Sequence, residues 1–328
     1  MTDQKSVTRT DVARYAGVSS AVVSYVLNDG PKPVAAATRQ RVLDAVALLG
    51  YRPNATARAL SRGKVDMIGM IVPDIRNPYF SELVYAVDLA AHARGRTLLV
   101  INSDVRRTAA PNHLKGLVSQ QFDGLVLADT LSPAETALIV RLNIPIVLIN
   151  QFRGAEEFMS IGVDYFDGAK KATEHLISRG HKKIAFIGGT NPALDPREHG
   201  WMEALTEAGL PLGRRYRAEF SSAGGYKAAM ELAREPDRPT AVFIASDQLA
   251  IAASAAFHAA GLRIPEDIAV VSFDGTTESK YNWPPLTTMV QPVQAMADEA
   301  INRLIAGTPE PTFVAYPMKI VLRASSGD

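Results

Sequence analysis

The stretch TRTDVARYAGVSSAVVSYVLN, residues 8–28, contains two short helical patterns that a glycine separates. The first helix is predicted to begin at Thr10 and Asp11, because a capping residue followed by an acid stabilises the first helical turn. Gly17 stands where the chain must leave this helix. The apolar side of the first helix consists of Val12, Ala13 and Ala16.

A second helix follows, with Ser19 as its predicted cap. Helices this short do not persist alone in water, so a third helix must cover them, and residues 38–49 supply it. Two helices joined by a glycine turn predict a helix-turn-helix domain, whose second helix enters the major groove of DNA. The predicted inward residues are Val23, Val26 and Leu27 of the second helix and Val42, Leu43, Val46 and Leu49 of the third.

The outward side of the second helix carries small side chains and a phenol. Small side chains let the backbone approach DNA closely, and a phenol can donate or accept a hydrogen bond at a base edge. Any small three-helix unit shows a similar apolar pattern, so the interpretation depends on the turn and on the local charge. The outward residues are Ser20, Ala21, Ser24 and Tyr25, and the flanking cations that can hold phosphates are Arg9, Lys32, Arg39 and Arg41.

Charge is distributed unevenly along the 328 residues, although the whole chain carries only +1. Residues 1–64 hold ten Lys and Arg against four acids, a net charge of +6, which leaves −5 for the rest of the chain. A basic head on a mildly acidic body indicates that only the head meets a polyanion. Charge alone leaves open the alternative of a solvated basic face.

Residues 51–64, YRPNATARALSRGK, connect the head to the rest of the chain. Pro53 stops the preceding helix and Asn54 can cap a new one, but this helix has little apolar face and is expected to be unfolded alone. If it forms when two copies meet on DNA, Leu60 is placed to wedge between base steps of the minor groove. The alternative is a flexible linker with an incidental leucine.

Three motifs together resemble the transcriptional regulators of the lactose repressor family: DVARYAGVSSAVVSYVLN, TRQRVLDAVALLGYRPNATARAL and IGMIVPDIRNPYF. The resemblance covers essentially the whole chain. It implies base reading by Ser20, Ala21 and Tyr25, and minor-groove insertion by Leu60. Ala21 has no hydrogen-bonding side chain, and Tyr25 stands where the family often has arginine or histidine. Ala35 replaces the usual serine before the third helix, which weakens that cap by about 1 kcal/mol.

From Met67 onward, seven apolar runs alternate with amphipathic helical patterns: MIGMIV, TLLVIN, DGLVLAD, IPIVLIN, KIAFIGG, AVFIAS and DIAVVSFDG. Runs rich in β-branched residues and bounded by Gly, Pro or Asp predict strands buried on both faces, and therefore parallel sheets with helical crossovers. The runs thin out between Gln151 and Asp164 and then restart. This pattern predicts two α/β lobes with ligand chemistry at the carboxyl ends of their strands.

Polar and aromatic residues follow several of these strand ends. Aromatic rings cover the apolar faces of sugars, and arginine and carboxylates bind hydroxyls in bidentate fashion, so the set favours a sugar or another small polar ligand. Helix capping is the alternative role for any single aspartate. The residues are Asp74, Asn77, Tyr79, Phe80, Arg197, Ser246, Asp247 and Asp274.

The family resemblance implies a periplasmic-binding-protein-like body whose effector lies between two lobes. Asn150 and Ser246 stand where some sugar-binding members have aspartate and asparagine. The implied effector-binding residues are Tyr79, Phe80, Asn150, Arg197, Phe220, Ser246, Asp274 and Gln291. The implied division is a DNA-binding domain with a hinge helix at residues 1–64, a first lobe at about 65–162 and 292–320, and a second lobe at about 163–291 and 321–328.

Several other function classes find no support in the sequence. The chain has no cysteine, which removes disulfides, thiolate metal sites and thiol nucleophiles. The six histidines lack metal-ligand spacing, and the G-x-G-x-x-G, P-loop and G-x-S-x-G motifs are missing, so we expect no catalysis, metal or cofactor. Without an export signal or an apolar run long enough to span a bilayer, the protein is expected in the cytoplasm.

The sequence therefore predicts a transcriptional repressor that binds a near-palindromic operator as a homodimer and responds to a small-molecule effector, most simply a sugar. The end of the chain, KIVLRASSGD, has no heptad pattern, which favours a dimer over a tetramer. Two rivals remain at this point. A transport-type sugar-binding protein would need an export signal and would not need residues 1–64. A DNA-binding protein without an effector is distinguished by Arg197→Ala, which should abolish a ligand response while leaving DNA binding intact.

Overall fold

The computed structural model describes residues 7–27, 32–51, 65–103, 122–129, 133–155, 157–190, 195–307 and 309–327. The chain forms two compact units, Met1–Val65 and Asp66–Asp328. Within the described ranges, no helix is both long enough and apolar enough to cross a membrane. The predicted hinge helix and Leu60 lie outside the described residues.

The first unit contains three helices: α1 at Arg9–Ala16, α2 at Ser20–Leu27 and α3 at Ala36–Leu49. Leu43 was expected to point inward but is 41% exposed. Val42 and Ala45, three positions apart on one face of α3, are fully buried instead. The shared core is formed by Val12, Ala13, Ala16, Val23, Val26, Val42 and Ala45.

Helix α1 begins earlier than the sequence suggested, because its cap is Thr8 and not Thr10. The Thr8 hydroxyl accepts a hydrogen bond from the Asp11 backbone amide at 3.4 Å, and the Asp11 carboxylate accepts one from the Thr8 amide at 2.9 Å. This reciprocal pair is a capping box, which only a residue three positions before the acid can form. Thr10 therefore lies inside the first turn.

The start of α2 agrees with the sequence analysis, whereas α3 begins at Ala36, two residues before the predicted start at Thr38. The Ser19 hydroxyl accepts a hydrogen bond from the Val22 amide at 3.3 Å, so it caps α2. Helix α3 starts after Ala35, whose side chain makes no capping hydrogen bond. Gly17 adopts the left-handed conformation, with φ of 63°, and this lets the chain turn sharply between α1 and α2.

The second unit contains two six-stranded sheets. The first sheet consists of β1 at Met67–Val72, β2 at Thr97–Asn102, β3 at Gly124–Leu127, β4 at Ile146–Gln151, β5 at Met159–Val163 and β11 at Phe313–Tyr316. The second consists of β6 at Ile184–Gly188, β7 at Arg215–Arg217, β8 at Ala241–Ile244, β9 at Ala269–Asp274, β10 at Thr287–Val290 and β12 at Lys319–Val321. The spatial orders are β11-β5-β4-β3-β1-β2 and β12-β10-β9-β8-β6-β7.

Helices cover the two sheets and connect their strands. Each of the two sheets is the centre of one lobe, and the helices pack against buried apolar residues of the strands. The helices are α4 at Pro78–His92, α5 at Pro133–Val140, α6 at Tyr165–Ser178, α7 at Pro196–Glu207, α8 at Ser222–Ala233, α9 at Asp247–Ala259, α10 at Thr277–Tyr281 and α11 at Val293–Ala306, followed by a 3-10 turn at Ala324–Ser326.

All seven predicted runs form strands, but two features differ from the expectation of parallel strands buried on both faces. Strand β2 lies at a sheet edge, so Leu99 remains 39% exposed. Strand β12 pairs antiparallel with β10. Strands β5, β7, β10, β11 and β12, of three to five residues each, were missed.

The chain passes between the lobes three times: after Val163, between Val290 and Val293, and between Tyr316 and Lys319. The third crossing lies earlier than the expected boundary at residue 320. Ile320 pairs with Met289 of β10, so residues 319 and 320 belong to the second lobe.

Candidate functional site

Helix α2 presents its outward side chains at the surface of the first unit. Ala21 is exposed, and Ser20, Ser24 and Tyr25 are half-buried. Lys32 is exposed in the segment that precedes α3. A DNA major groove is wide enough to admit a helix with such short side chains.

Arg39 has a structural partner in this unit. Its guanidinium Nη1 donates a hydrogen bond to the Val26 carbonyl at 3.3 Å, in the last turn of α2. Helix α2 has no basic residue of its own in that turn, so Arg39 places a cation at the negative end of the helix dipole. The sequence analysis predicted that Arg39 holds a phosphate. It could not predict the contact with Val26, because the two residues are 13 positions apart and no short-range pattern connects them.

A cavity of about 340 Å³ lies in the second unit, where the carboxyl ends of strands from both sheets face each other. Seven of the eight predicted effector-binding residues line it: Tyr79, Phe80, Asn150, Arg197, Phe220, Ser246 and Asp274. The sequence analysis overlooked Ala128, Asp129, Gln151, Phe152 and Tyr165 as lining residues. Tyr165 is the first residue of the helix after β5, so it was missed together with that strand, whereas Asp129 lies two residues after the end of β3 and was recognisable.

Arg197 is the central cation of the cavity. Its Nε donates to Asp195 Oδ1 at 2.9 Å and its Nη1 donates to the Ala245 carbonyl at 2.7 Å. The guanidinium also lies 5.1 Å from the Tyr165 ring centre and 5.0 Å from that of Phe220. Burial lowers the Arg197 pKa, but the interactions with Asp195, Tyr165 and Asp274 together outweigh this effect and the pKa is raised. The group is therefore a permanent, rigidly held hydrogen-bond donor.

Asp274 places a carboxylate in the cavity at the end of β9. Its φ of 114° is unusual for a residue other than glycine, so surrounding contacts must hold it there. Its oxygens accept hydrogen bonds from Gln291 Nε2 at 2.9 Å and from the Asp247 amide at 3.3 Å. Burial and the nearby Asp247 carboxylate raise the Asp274 pKa well above its usual range.

Asp247 supports the loop that carries Asp274. It is fully buried, and it accepts hydrogen bonds from the hydroxyls of Ser272, Thr276 and Thr288 and from the Thr276 amide, at distances of 2.5–2.9 Å. Burial raises the Asp247 pKa, and these four hydrogen bonds oppose that shift. The sequence analysis listed Asp247 near the ligand, and the structure places it one layer behind.

Gln291 also lies behind the cavity wall. Its Nε2 donates to Asp274, while its Oε1 accepts a hydrogen bond from the Tyr79 hydroxyl at 3.1 Å. Gln291 is therefore a support for two lining residues, Asp274 and Tyr79, and does not itself line the cavity. On the other side, the Tyr165 hydroxyl donates to Asn150 Oδ1 at 2.5 Å.

Some polar residues near the cavity are occupied by structural partners. Asp74 accepts hydrogen bonds from the Arg76 guanidinium at 2.8–3.1 Å, and these lower its pKa. Asn77 caps α4, and Ser246 caps α9 through the Leu249 amide at 3.3 Å. Asn77 and Ser246 thus each cap a helix and also line the cavity.

The remaining chemistry is that of a binding site. Aromatic rings form the walls, and an arginine, a carboxylate and an amide provide directed hydrogen bonds. Among the described residues, no group of three or more His, Asp or Glu side chains is arranged to hold a metal ion.

Two protein-family models match the chain. The model described as bacterial regulatory proteins of the lacI family matches residues 8–54, and that of the periplasmic binding protein-like domain matches residues 173–326. Catabolite control protein A of Priestia megaterium is 33% identical over 98% of this chain and 99% of its own. The transcriptional repressor PurR of Actinobacillus pleuropneumoniae is 32% identical over 96% of this chain and 97% of its own.

Solved structures agree with these matches. A Lac repressor dimer bound to operator and the anti-inducer ONPF is 28% identical, covers 98% of this chain and 99% of its own, and superposes with a TM-score of 0.81. The transcriptional regulator CelR in complex with cellobiose is 28% identical over 97% of this chain and 99% of its own, with a TM-score of 0.68.

Proposed function

This chain belongs to the lacI family of bacterial regulatory proteins, and from that premise we propose that a sugar bound between its lobes controls how tightly its first unit binds a near-palindromic operator. The protein is a DNA-binding transcriptional regulator with an effector domain, as the members of this family are. Such regulators bind operators as dimers.

In the proposed DNA complex, Ser20, Ala21, Ser24 and Tyr25 of α2 face base edges, and Lys32 holds a phosphate. Their support is the exposure of this side of α2 and the +6 charge of residues 1–64. Arg39 contributes by holding the end of α2. Leu60, as the minor-groove wedge, remains a prediction from the sequence and from the family resemblance.

The observation that carries the ligand proposal is that one cavity contains Arg197, which lies against aromatic rings, and also the Asp274 carboxylate. Sugars present apolar ring faces together with hydroxyls that both donate and accept, and this site offers a partner for each. The volume of about 340 Å³ is at the small end of the range for ligand sites, which favours a monosaccharide-sized group. CelR, a structural neighbour, binds the sugar cellobiose.

Binding between the lobes is expected to change their relative angle and, through the dimer, the presentation of the two α2 helices. The coupling free energy in such systems is about 1 to 3 kcal/mol. If the sugar weakens DNA binding, the protein represses in its absence. If the sugar strengthens DNA binding, the protein represses in its presence.

The test uses the full chain and duplexes from the region flanking its own gene. Fluorescence anisotropy measures DNA affinity while a panel of monosaccharides and disaccharides is titrated. We expect one sugar to change the affinity about 5- to 150-fold. Arg197→Met should keep DNA binding and lose the sugar response, while Arg234→Met, at an exposed arginine outside the cavity, should keep both. A full sugar response in Arg197→Met would contradict the proposed site.

A further inference from the structure

Two tyrosine hydroxyls connect the lobes across the floor of the cavity. Tyr79, on α4 of the first lobe, donates to the side-chain oxygen Oε1 of Gln291 at 3.1 Å. The backbone amide of Gln291 in turn donates to the backbone carbonyl of Asp274 in the second sheet. Tyr165, on α6 of the second lobe, donates to Asn150 Oδ1 at the end of β4 in the first sheet. The two hydrogen bonds therefore cross between the lobes in opposite directions.

Both tyrosines occupy corresponding places in their lobes. Tyr79 follows the Asn77 cap of α4, and Tyr165 follows the Asp164 cap of α6. Helix α4 follows strand β1 of its own lobe, and α6 directly follows the first crossing between the lobes. Both tyrosines therefore lie at the edge of the sheets where the cavity is. Tyr79 is 3% exposed and Tyr165 is 7% exposed. Their hydroxyls are thus held in place by packing.

Each tyrosine acts on a polar group of the cavity. Gln291 receives the Tyr79 hydrogen bond and passes its own amide hydrogen to Asp274 at 2.9 Å. Because a carboxylate only accepts, this bond fixes the orientation of the Gln291 amide and leaves its oxygen facing Tyr79. Asn150 lines the cavity itself and has a left-handed φ of 63°, so the bond from Tyr165 sets which amide atom faces the ligand.

We propose that Tyr79 and Tyr165 are positioning residues that form a reciprocal clasp, tying the lobes together while orienting Asp274 and Asn150 toward the ligand. The orienting half of this inference rests on the proposed ligand site, whereas the tying half does not. Separation of the lobes breaks both hydrogen bonds and leaves Gln291 and Asn150 without the partners that orient them. The cavity is therefore pre-organised for its ligand only when the lobes are closed.

Two further observations support the clasp. Burial raises the pKa of both tyrosines, so both hydroxyls keep their protons and remain donors through the ordinary pH range. On the outer side of the same helix α4, the Glu82 carboxylate accepts a hydrogen bond from the Thr277 amide of the second lobe at 2.6 Å. Three hydrogen bonds thus hold one closed arrangement, one of them buried and a second partly buried.

The experiment measures the distance between the lobes without any ligand. The chain contains no cysteine, so Ala306→Cys on the first lobe and Ala259→Cys on the second provide exposed, unique sites for spin labels. Pulsed electron paramagnetic resonance then gives the distance distribution in the full-length protein. Singly labelled chains supply the distances between protomers, which are subtracted.

Tyr79→Phe and Tyr165→Phe should each broaden the distribution and shift it to another distance, and the double variant should shift it furthest. Gln291→Met, which removes the acceptor from the other end, should reproduce the effect of Tyr79→Phe. The matched control is Tyr216→Phe, because Tyr216 is also buried but its hydroxyl has no hydrogen-bond partner among the residues that the structure describes. Its distribution should equal that of the parent.

A distribution in the double variant that is identical to the parent, in a protein with an unchanged circular dichroism spectrum, would overturn the clasp. That result would leave the sugar and DNA measurements of the proposed function unaffected. Conversely, a shifted distribution in a protein that ignores every sugar would support the tying half and count against the ligand site.

Discussion

The two units of this protein place their functional side chains in different ways. In the first unit, the residues proposed to face DNA and the core that supports them come from about 40 consecutive positions, and most contacts join neighbouring helices. In the second unit, the Tyr79–Gln291 hydrogen bond joins residues 212 positions apart. Local sequence patterns therefore decide the first site, whereas the topology of two sheets decides the second.

Asp247→Ala is expected to give the largest effect, because it breaks the long-range supports of the second unit. It leaves the Thr276 amide and the hydroxyls of Thr276 and Thr288 without an acceptor, and it leaves the Ser272 hydroxyl only the Thr287 carbonyl at 3.4 Å, which should cost about 3 to 5 kcal/mol of unfolding free energy. Denaturant unfolding followed by circular dichroism measures this loss. Asp267→Ala removes an exposed carboxylate paired with Arg263 and should cost far less. Equal losses in the two variants would show that the Asp247 network adds nothing.

The Asp274 carboxyl should make the stability and the sugar affinity of the second unit depend on pH. Burial and Asp247 raise its folded-state pKa above the unfolded value, so the folded protein binds a proton before the unfolded chain does. As pH falls through the raised pKa, this carboxyl contributes stability, while sugar affinity falls because the ionised acceptor is lost. Paired measurements of unfolding and sugar binding between pH 8 and pH 5 should show both trends weakened in Asp274→Asn. Parallel pH profiles for that variant and the parent would refute the role of this group.

Thr8→Ala tests a local support in the first unit. Loss of the capping box should destabilise this unit by about 1 kcal/mol, whereas Thr10→Ala, inside the first turn, should change its stability little. Thermal melting of the full chain, followed by the helical signal of the first unit's transition, distinguishes the two. A larger loss of stability in Thr10→Ala than in Thr8→Ala would show that Thr10 caps α1, as the sequence alone suggested.

Arg39 offers the smallest and most selective effect. If it holds the end of α2, Arg39→Met should weaken operator binding but keep the slope of log affinity against log salt on nonspecific DNA. A lost phosphate contact would instead reduce that slope by about 1. Arg234→Met, at an exposed arginine of the second unit, is the matched control and should change neither the affinity nor the slope.

The sequence predicted the first unit better than the second, because the contacts of the first unit are local and those of the second join distant segments. The helices of the first unit, the caps of α2 and the weak start of α3 were all visible in short-range patterns. Thr8 was missed because two threonines compete for the same role, and only the reciprocal bond to Asp11 decides between them. Leu43 was misplaced because several of its neighbours fit the helical period equally well.

In the second unit, the strand runs predicted the lobes and seven lining residues of the cavity. Tyr165 escaped because β5 is short, and the supporting positions of Asp247 and Gln291 escaped because they depend on pairing between distant segments. The antiparallel β12 was missed for the same reason, since three residues carry no period of their own.

Calorimetric titration of the full chain with its sugar, alone and with saturating operator duplex, tests the central claim most directly. If the cavity of the second unit controls DNA binding by the first, the two sugar dissociation constants must differ by the same factor by which the sugar changes operator affinity. The account predicts this equality, within a range of about 5- to 150-fold. Identical sugar affinities with and without operator would contradict it.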